Sequence, residues 1–268
     1  MKPLDFKKFG IAMSFSSLLC GTAIANGLPD TSLRADLQRV AAMRIYFGHQ
    51  SVGGNILDGV KQLSADTVIP VQVVESRDAQ GVAPGTLGHV RVGINGNPEG
   101  KLASFERAIG PAPTNLDVAL IKFCYVDFSA NTDVKALFSS YVRTVERIQQ
   151  RNPRLTVIHT TAPLTVVQAG PKAFLKRMLG RAPYGILENM RREEYNTLLR
   201  SKYQGREPLF DLARIESTNP DGTSAFADWN SVRIPQLSNA YTEDGSHLNP
   251  LGRIHAAKSF VKLLAEHR

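Results

Sequence analysis

Two stretches of this chain hold residues whose types and spacing allow nucleophilic chemistry. The first is "YFGHQSVGGNIL", residues 46–57, where Ser51 sits in a glycine-rich turn between an apolar run and a helix-like run. The second is "TEDGSHLNPLG", residues 242–252, where Asp244 and His247 are three positions apart in a loop that feeds the last helix. A carboxylate that close to an imidazole can accept its Nδ1–H. It then fixes the tautomer and steadies the imidazolium formed when the histidine takes a serine proton. A serine at the carboxyl end of a strand also lies near the free N–H groups of a helix start, which favour a developing oxyanion. Taken singly, Ser51 reads as a helix N-cap and Asp244/His247 as a polar turn with a surface histidine. Together they supply a nucleophile, a base and a group to orient the base.

These residues are separated by nearly the whole chain, so the intervening elements must bring them together. Short apolar runs at 43–48, 68–76, 117–125, 155–161 and 208–213 read as strands, most of them continuous, as in a sheet covered on both faces. Helix-like segments at 55–64, 101–108, 133–151 and 188–203 alternate with them. Asn249 and Pro250 open a final helix as cap and first-turn residue. This alternation predicts one α/β domain with a parallel sheet over 26–268. Residues 77–100, rich in Gly, Pro and Asn, read as a long loop of the kind that binds ligands. The insert 163–186 carries Lys172, Lys176, Arg177 and Arg181 and reads as a solvated surface segment or a basic lid.

The chain has 268 residues, 43% of them hydrophobic and 21% charged, enough for a sizeable core and unlike a disordered composition. Residues 1–25 read as a signal peptide: Lys2, Lys7 and Lys8 precede an apolar, small-residue run, and Ala23-Ile24-Ala25 fits a cleavage site. A secreted or periplasmic location follows as an expectation, with no stable membrane insertion after cleavage. Of the two cysteines, Cys20 falls in that leader, so a mature chain keeps Cys124 alone and rests on its hydrophobic core rather than on disulfides. The net charge of +8 suits acidic glycans or anionic surfaces, or is simply that of a basic exported protein. No zinc-finger spacing or aromatic-plus-basic sheet motif points to nucleic acid. His49, His89 and His159 lack metal-ligand spacing, so neither metal nor cofactor is expected. "GHQSVG" is also one residue too long for the G-x-S-x-G elbow of α/β-hydrolases.

Over most of its mature length the chain resembles the SGNH/GDSL hydrolases. "DGSHLNPLGRIHAA" matches that family's final block, with Asp244 and His247 as triad members, and Ser51 sits where its nucleophile sits. The resemblance implies a three-layer α/β/α flavodoxin-like fold with a central parallel sheet, and an esterase using Ser51, His247 and Asp244. "NGNPEGKLASF" resembles the second block, which implies an oxyanion hole from the N–H groups of Ser51 and Gly100, with Gly96 as second choice. His49, Gln50 and Tyr125 would shape the pocket. The family's Gly-Asp-Ser is His49-Gln50-Ser51 here, so Gln50 would replace the supporting Asp. The third block departs further: in "KFCYVD", Asp127 matches the family's Asp, and Val126 stands where an Asn donates to the oxyanion. Tyr125, Lys122 and Asn131 are the candidate substitutes. The expected substrate is a small-molecule or glycan O-acyl ester, acetyl or similarly short. An O-acyltransferase, or a carbohydrate-binding scaffold that has lost the chemistry, remains open.

Overall fold

The computed structural model describes residues 31–111 and 113–267; the leader with Cys20 lies outside the described residues. The chain runs α1 (Thr31–Val40), β1 (Arg44–His49), α2 (Val52–Thr67), β2 (Gln72–Glu75), β3 (Thr86–Arg91), α3 (Pro98–Ile109), β4 (Val118–Ile121) and α4 (Val134–Arg151). It continues through β5 (Thr156–Thr160), α5 (Pro171–Met178), α6 (Ile186–Tyr203), β6 (Leu209–Phe210), α7 (Leu212–Glu216), β7 (Phe226–Trp229), β8 (Val232–Pro235) and α8 (Pro250–Glu266).

Six strands form a parallel sheet in the order β2-β3-β1-β4-β5-β6, and β7 and β8 pair as a separate antiparallel hairpin. Neighbouring side chains on each strand point to opposite faces, which divides the core in two. Ile45 and Phe47 of β1 join Val118 and Leu120 of β4 beneath α1, α2 and α8. Tyr46, Ala119 and Ile121 face the other way, against α3, α4 and α6. The result is the expected three-layer α/β/α arrangement. With β2 set aside as an added edge strand, the order β3-β1-β4-β5-β6 is that of a flavodoxin-like sheet. In such sheets ligands bind where the connections of adjacent strands leave on opposite faces, which here is between β1 and β4.

The stretch 77–100 is not one loop, because it contains β3, the strand hydrogen-bonded between β1 and β2. Its run "TLGHVR" is interrupted by Gly88, where a Cβ would stand 2.7 Å from a Val82 methyl, so close packing demanded the residue that hid the strand. The predicted strand 117–125 ends early, at Ile121, and the chain beyond it turns through a short 3-10 segment at Tyr125–Asp127. Cys124 is buried and free. Among the described residues, no helix is long and apolar enough to cross a membrane.

Candidate active site

Ser51 lies in the turn between β1 and α2, at the carboxyl end of a central strand. The simplest role for a serine there is to cap the helix, but its side chain makes no cap hydrogen bond. Its backbone sits at φ 46°, ψ −106°, a conformation that costs a non-glycine residue about 1–3 kcal/mol. Neighbours hold it there. Gly53 and Gly54 donate back to the carbonyls of Gln50 and Ser51 at 3.0 and 2.7 Å. The Gln50 amide donates to the carbonyls of Val92 and Gly93, at 3.0 and 3.1 Å, tying the turn to the end of β3. A side chain at Gly53 would collide with the buried His49. The strain turns the hydroxyl out of the helix and toward the C-terminal loop.

That loop carries the other two residues. Ser51 Oγ is 2.5 Å from His247 Nε2, and His247 Nδ1 is 2.6 Å from Asp244 Oδ2. The second oxygen of Asp244 accepts the backbone N–H groups of Ser246 and His247 at 2.8 and 2.7 Å. Burial alone would raise the Asp244 carboxyl. The hydrogen bonds from the backbone and side chains of His247 and Ser246 outweigh it and hold the carboxyl well below its usual range. The loop is pinned on several sides. Asn55 of α2 accepts the Leu248 N–H at 3.1 Å, Gly245 accepts the Val166 N–H at 2.8 Å, and Asn249 caps α8 through the Gly252 N–H at 2.9 Å. Helices α2 and α8 approach so closely at Gly59 that a Cβ there would strike the Arg253 carbonyl.

The expected pocket residues surround this relay unequally. The Tyr125 ring stands edge-on to His247 with centroids 5.7 Å apart, and its carbonyl accepts both forks of the buried Arg192 at 3.1 and 2.9 Å. Burial draws the Arg192 guanidinium down to about 10, and the carboxylates of Glu188 and Glu216 act in the opposite sense. His49 lies beneath the turn, bonded to His89 at 3.1 Å. Burial, and then the nearby Lys122, His89 and Arg91, push it down to about 3, so it is neutral at ordinary pH. His159 is elsewhere in the core, bonded to Tyr141 at 2.7 Å and stacked on Tyr203.

The N–H of Gly100 is taken: it donates to the side chain of Asn97, the cap of α3, at 2.8 Å. The Gly96 N–H is likewise taken, by Asp127 at 2.8 Å. Lys122 is fully buried and donates to the Phe123 carbonyl at 2.9 Å, and Asn131 belongs to a tight turn with Ser129. In the turn, the N–H of Ser51 has no acceptor among the described residues, and neither has the N–H of Gly93, whose carbonyl is bonded to Gln50. Asn95 is oriented by Lys101, whose ammonium donates to its oxygen at 2.9 Å.

Lys101 itself forms a fully buried ion pair with Asp127 at 2.6 Å, and Asp127 also accepts the N–H groups of Gly96 and Cys124. One carboxylate thus fastens the β3–α3 loop to the end of β4. Replacing the cation alone leaves that carboxylate buried without its partner. Lys101→Met is expected to destabilise the fold by about 3–5 kcal/mol in chemical denaturation, whereas a loss below about 1 kcal/mol would show that the pair is dispensable.

No family model and no curated protein matches the sequence. In structure, the chain is similar to a protein provisionally described as a platelet activating factor from Streptococcus pneumonia. The two share 14% identity over 87% of this chain and 90% of that one, with a TM-score of 0.50. It is also similar to an acetyl esterase variant with acetate ion, at 16% identity, 84% and 97% coverage and a TM-score of 0.42. A third is a provisionally described GDSL-like lipase from Parabacteroides merdae, at 12% identity, 83% and 95% coverage and a TM-score of 0.41. These are likenesses of fold, and the argument from them rests on the first.

Proposed function

We propose that this chain, an SGNH/GDSL-type hydrolase in its fold, is an exported serine esterase that cleaves short O-acyl esters. The observation that carries this reading is the unbroken relay from Ser51 through His247 to Asp244, at 2.5 and 2.6 Å. Ser51 Oγ attacks the acyl carbon as His247 Nε2 takes its proton, and Asp244 holds the imidazolium so formed. The oxyanion falls to the free N–H of Ser51 at the start of α2. His247 then returns the proton to the leaving alcohol. Water, activated by the same imidazole, releases the acid and frees the serine. A sugar hydroxyl in place of that water would make the same acyl-enzyme a transferase intermediate.

A fluorophosphonate separates this reading from a carbohydrate-binding scaffold. It is expected to leave one adduct, mapped by mass spectrometry to Ser51. Full retention of the native mass, alongside glycan binding, would sink the esterase and favour the scaffold.

A further inference from the structure

The segment that joins β5 to α6 leaves the sheet at its carboxyl end, the end that carries Ser51. Within it, α5 buries the side chain of Ala173 and little else. Phe174, Leu175, Met178 and Leu179 are 65%, 58%, 70% and 62% exposed, and Tyr184 follows at 66%. Such a concentration of large apolar side chains in solvent marks a binding surface. Their arrangement is orderly. At 3.6 residues per turn, Phe174, Leu175, Met178 and Leu179 span an arc of about 140° centred roughly opposite Ala173. The apolar stripe of this helix therefore faces away from the protein.

Cations flank the stripe. Lys172, Lys176, Arg177 and Arg181 fall within 171–187, a stretch without a single acidic residue. Among the described residues, none of the four is paired with a carboxylate. Lys176 donates to the Gln168 amide, and Arg177 donates to the Asp228 carbonyl while lying 5.7 Å over Trp229. A cleft of about 330 Å³ lined by Val167, Ala173, Phe174, Arg177, Ala227 and Gln236 separates α5 from the hairpin.

We propose that α5 docks on the surface of an anionic lipid bilayer. Its outward apolar side chains enter the boundary between headgroups and acyl chains, and its cations meet the anionic headgroups. The helix lies in the surface, since eight residues are far too few to span a bilayer. Charge argues against a second copy of the chain, because a twofold contact would set cationic flank against cationic flank. The segment's stem is bonded to the catalytic loop through Val166 and Gly245, so docking brings Ser51 to acyl esters held at the membrane. That consequence rests on the proposed esterase; the docking does not.

The test reads binding, not turnover. The full chain is centrifuged with vesicles of phosphatidylcholine, with and without phosphatidylglycerol, beside two variants that share any contribution from the rest of the chain. The unaltered protein is expected to sediment with the anionic vesicles and to be released by salt. Lys172→Gln with Arg181→Gln is expected to weaken partitioning about 30-fold, since each cation near such a surface contributes about fivefold. Leu175→Ser with Met178→Ser is expected to abolish it while leaving thermal unfolding unchanged. The proposal is overturned if the protein stays in the supernatant, if neutral vesicles bind it as well, or if both variants bind like the parent. A dimer in solution that Leu175→Ser dissociates overturns it too, because the face is then occupied by a second copy.

Discussion

Ser51→Ala is expected to lower kcat for acetyl-ester hydrolysis on the order of 10⁶-fold, the cost of removing the serine of a comparable triad. The fold should survive. The hydroxyl makes its hydrogen bond to His247 at the rim of the site and caps no helix, so its loss strands no buried partner. Alanine keeps the strained φ of 46°, whereas Ser51→Gly is free of it and should be more stable by about 1 kcal/mol, though equally inactive. Turnover by the purified alanine variant at more than a hundredth of the parent rate would remove Ser51 from the chemistry. The paired glycine variant separates loss of the nucleophile from loss of the turn.

The second large effect belongs to Asp244→Asn, expected to lower kcat about 10⁴-fold with little change in KM. The asparagine oxygen can still accept the N–H groups of Ser246 and His247, so the loop keeps its shape. The amide nitrogen, however, faces His247 Nδ1 as a donor. The imidazole must then carry its proton on Nε2, where it cannot accept the one from Ser51. A variant with a full melting temperature and more than a tenth of parent kcat would show that the carboxylate only shapes the loop. The same substitution has a stability signature. Because the folded carboxyl is held below its ordinary value, it adds stability at pH above that value, and this is lost as pH falls toward the folded one. Asp244 is largely exposed, so solvent screening keeps this slope small, and the asparagine variant should lack it.

The relay was legible because its chemistry is written locally. Asp244 and His247 are neighbours in sequence, and their loop ends in Asn249-Pro250, a helix start that needs no tertiary information. What surrounds the relay was less legible. The same Asn-Pro-x-Gly pattern occurs at Asn97–Gly100, where it also caps a helix, so the N–H of Gly100 is spent on Asn97. The same four residues both cap a helix and resemble an oxyanion block, and the pattern alone does not separate the two roles. Strand β3 was hidden by Gly85, Gly88 and Gly93, which look like loop composition but serve turns and close packing. The buried pair of Lys101 and Asp127 could not be read, because two charged residues 26 positions apart normally face solvent on separate elements. Arg192 was missed for the same reason: on a helix rich in charge, nothing in the pattern singles out the one guanidinium that supports Tyr125.

The contact between Asn55 and Leu248 joins segments 193 positions apart. During synthesis the Ser51 turn leaves the ribosome 196 residues ahead of His247. The proposed relay therefore assembles only once the loop before α8 has settled against α2, and a nonsense codon between the two segments would yield a product that carries the serine without its imidazole.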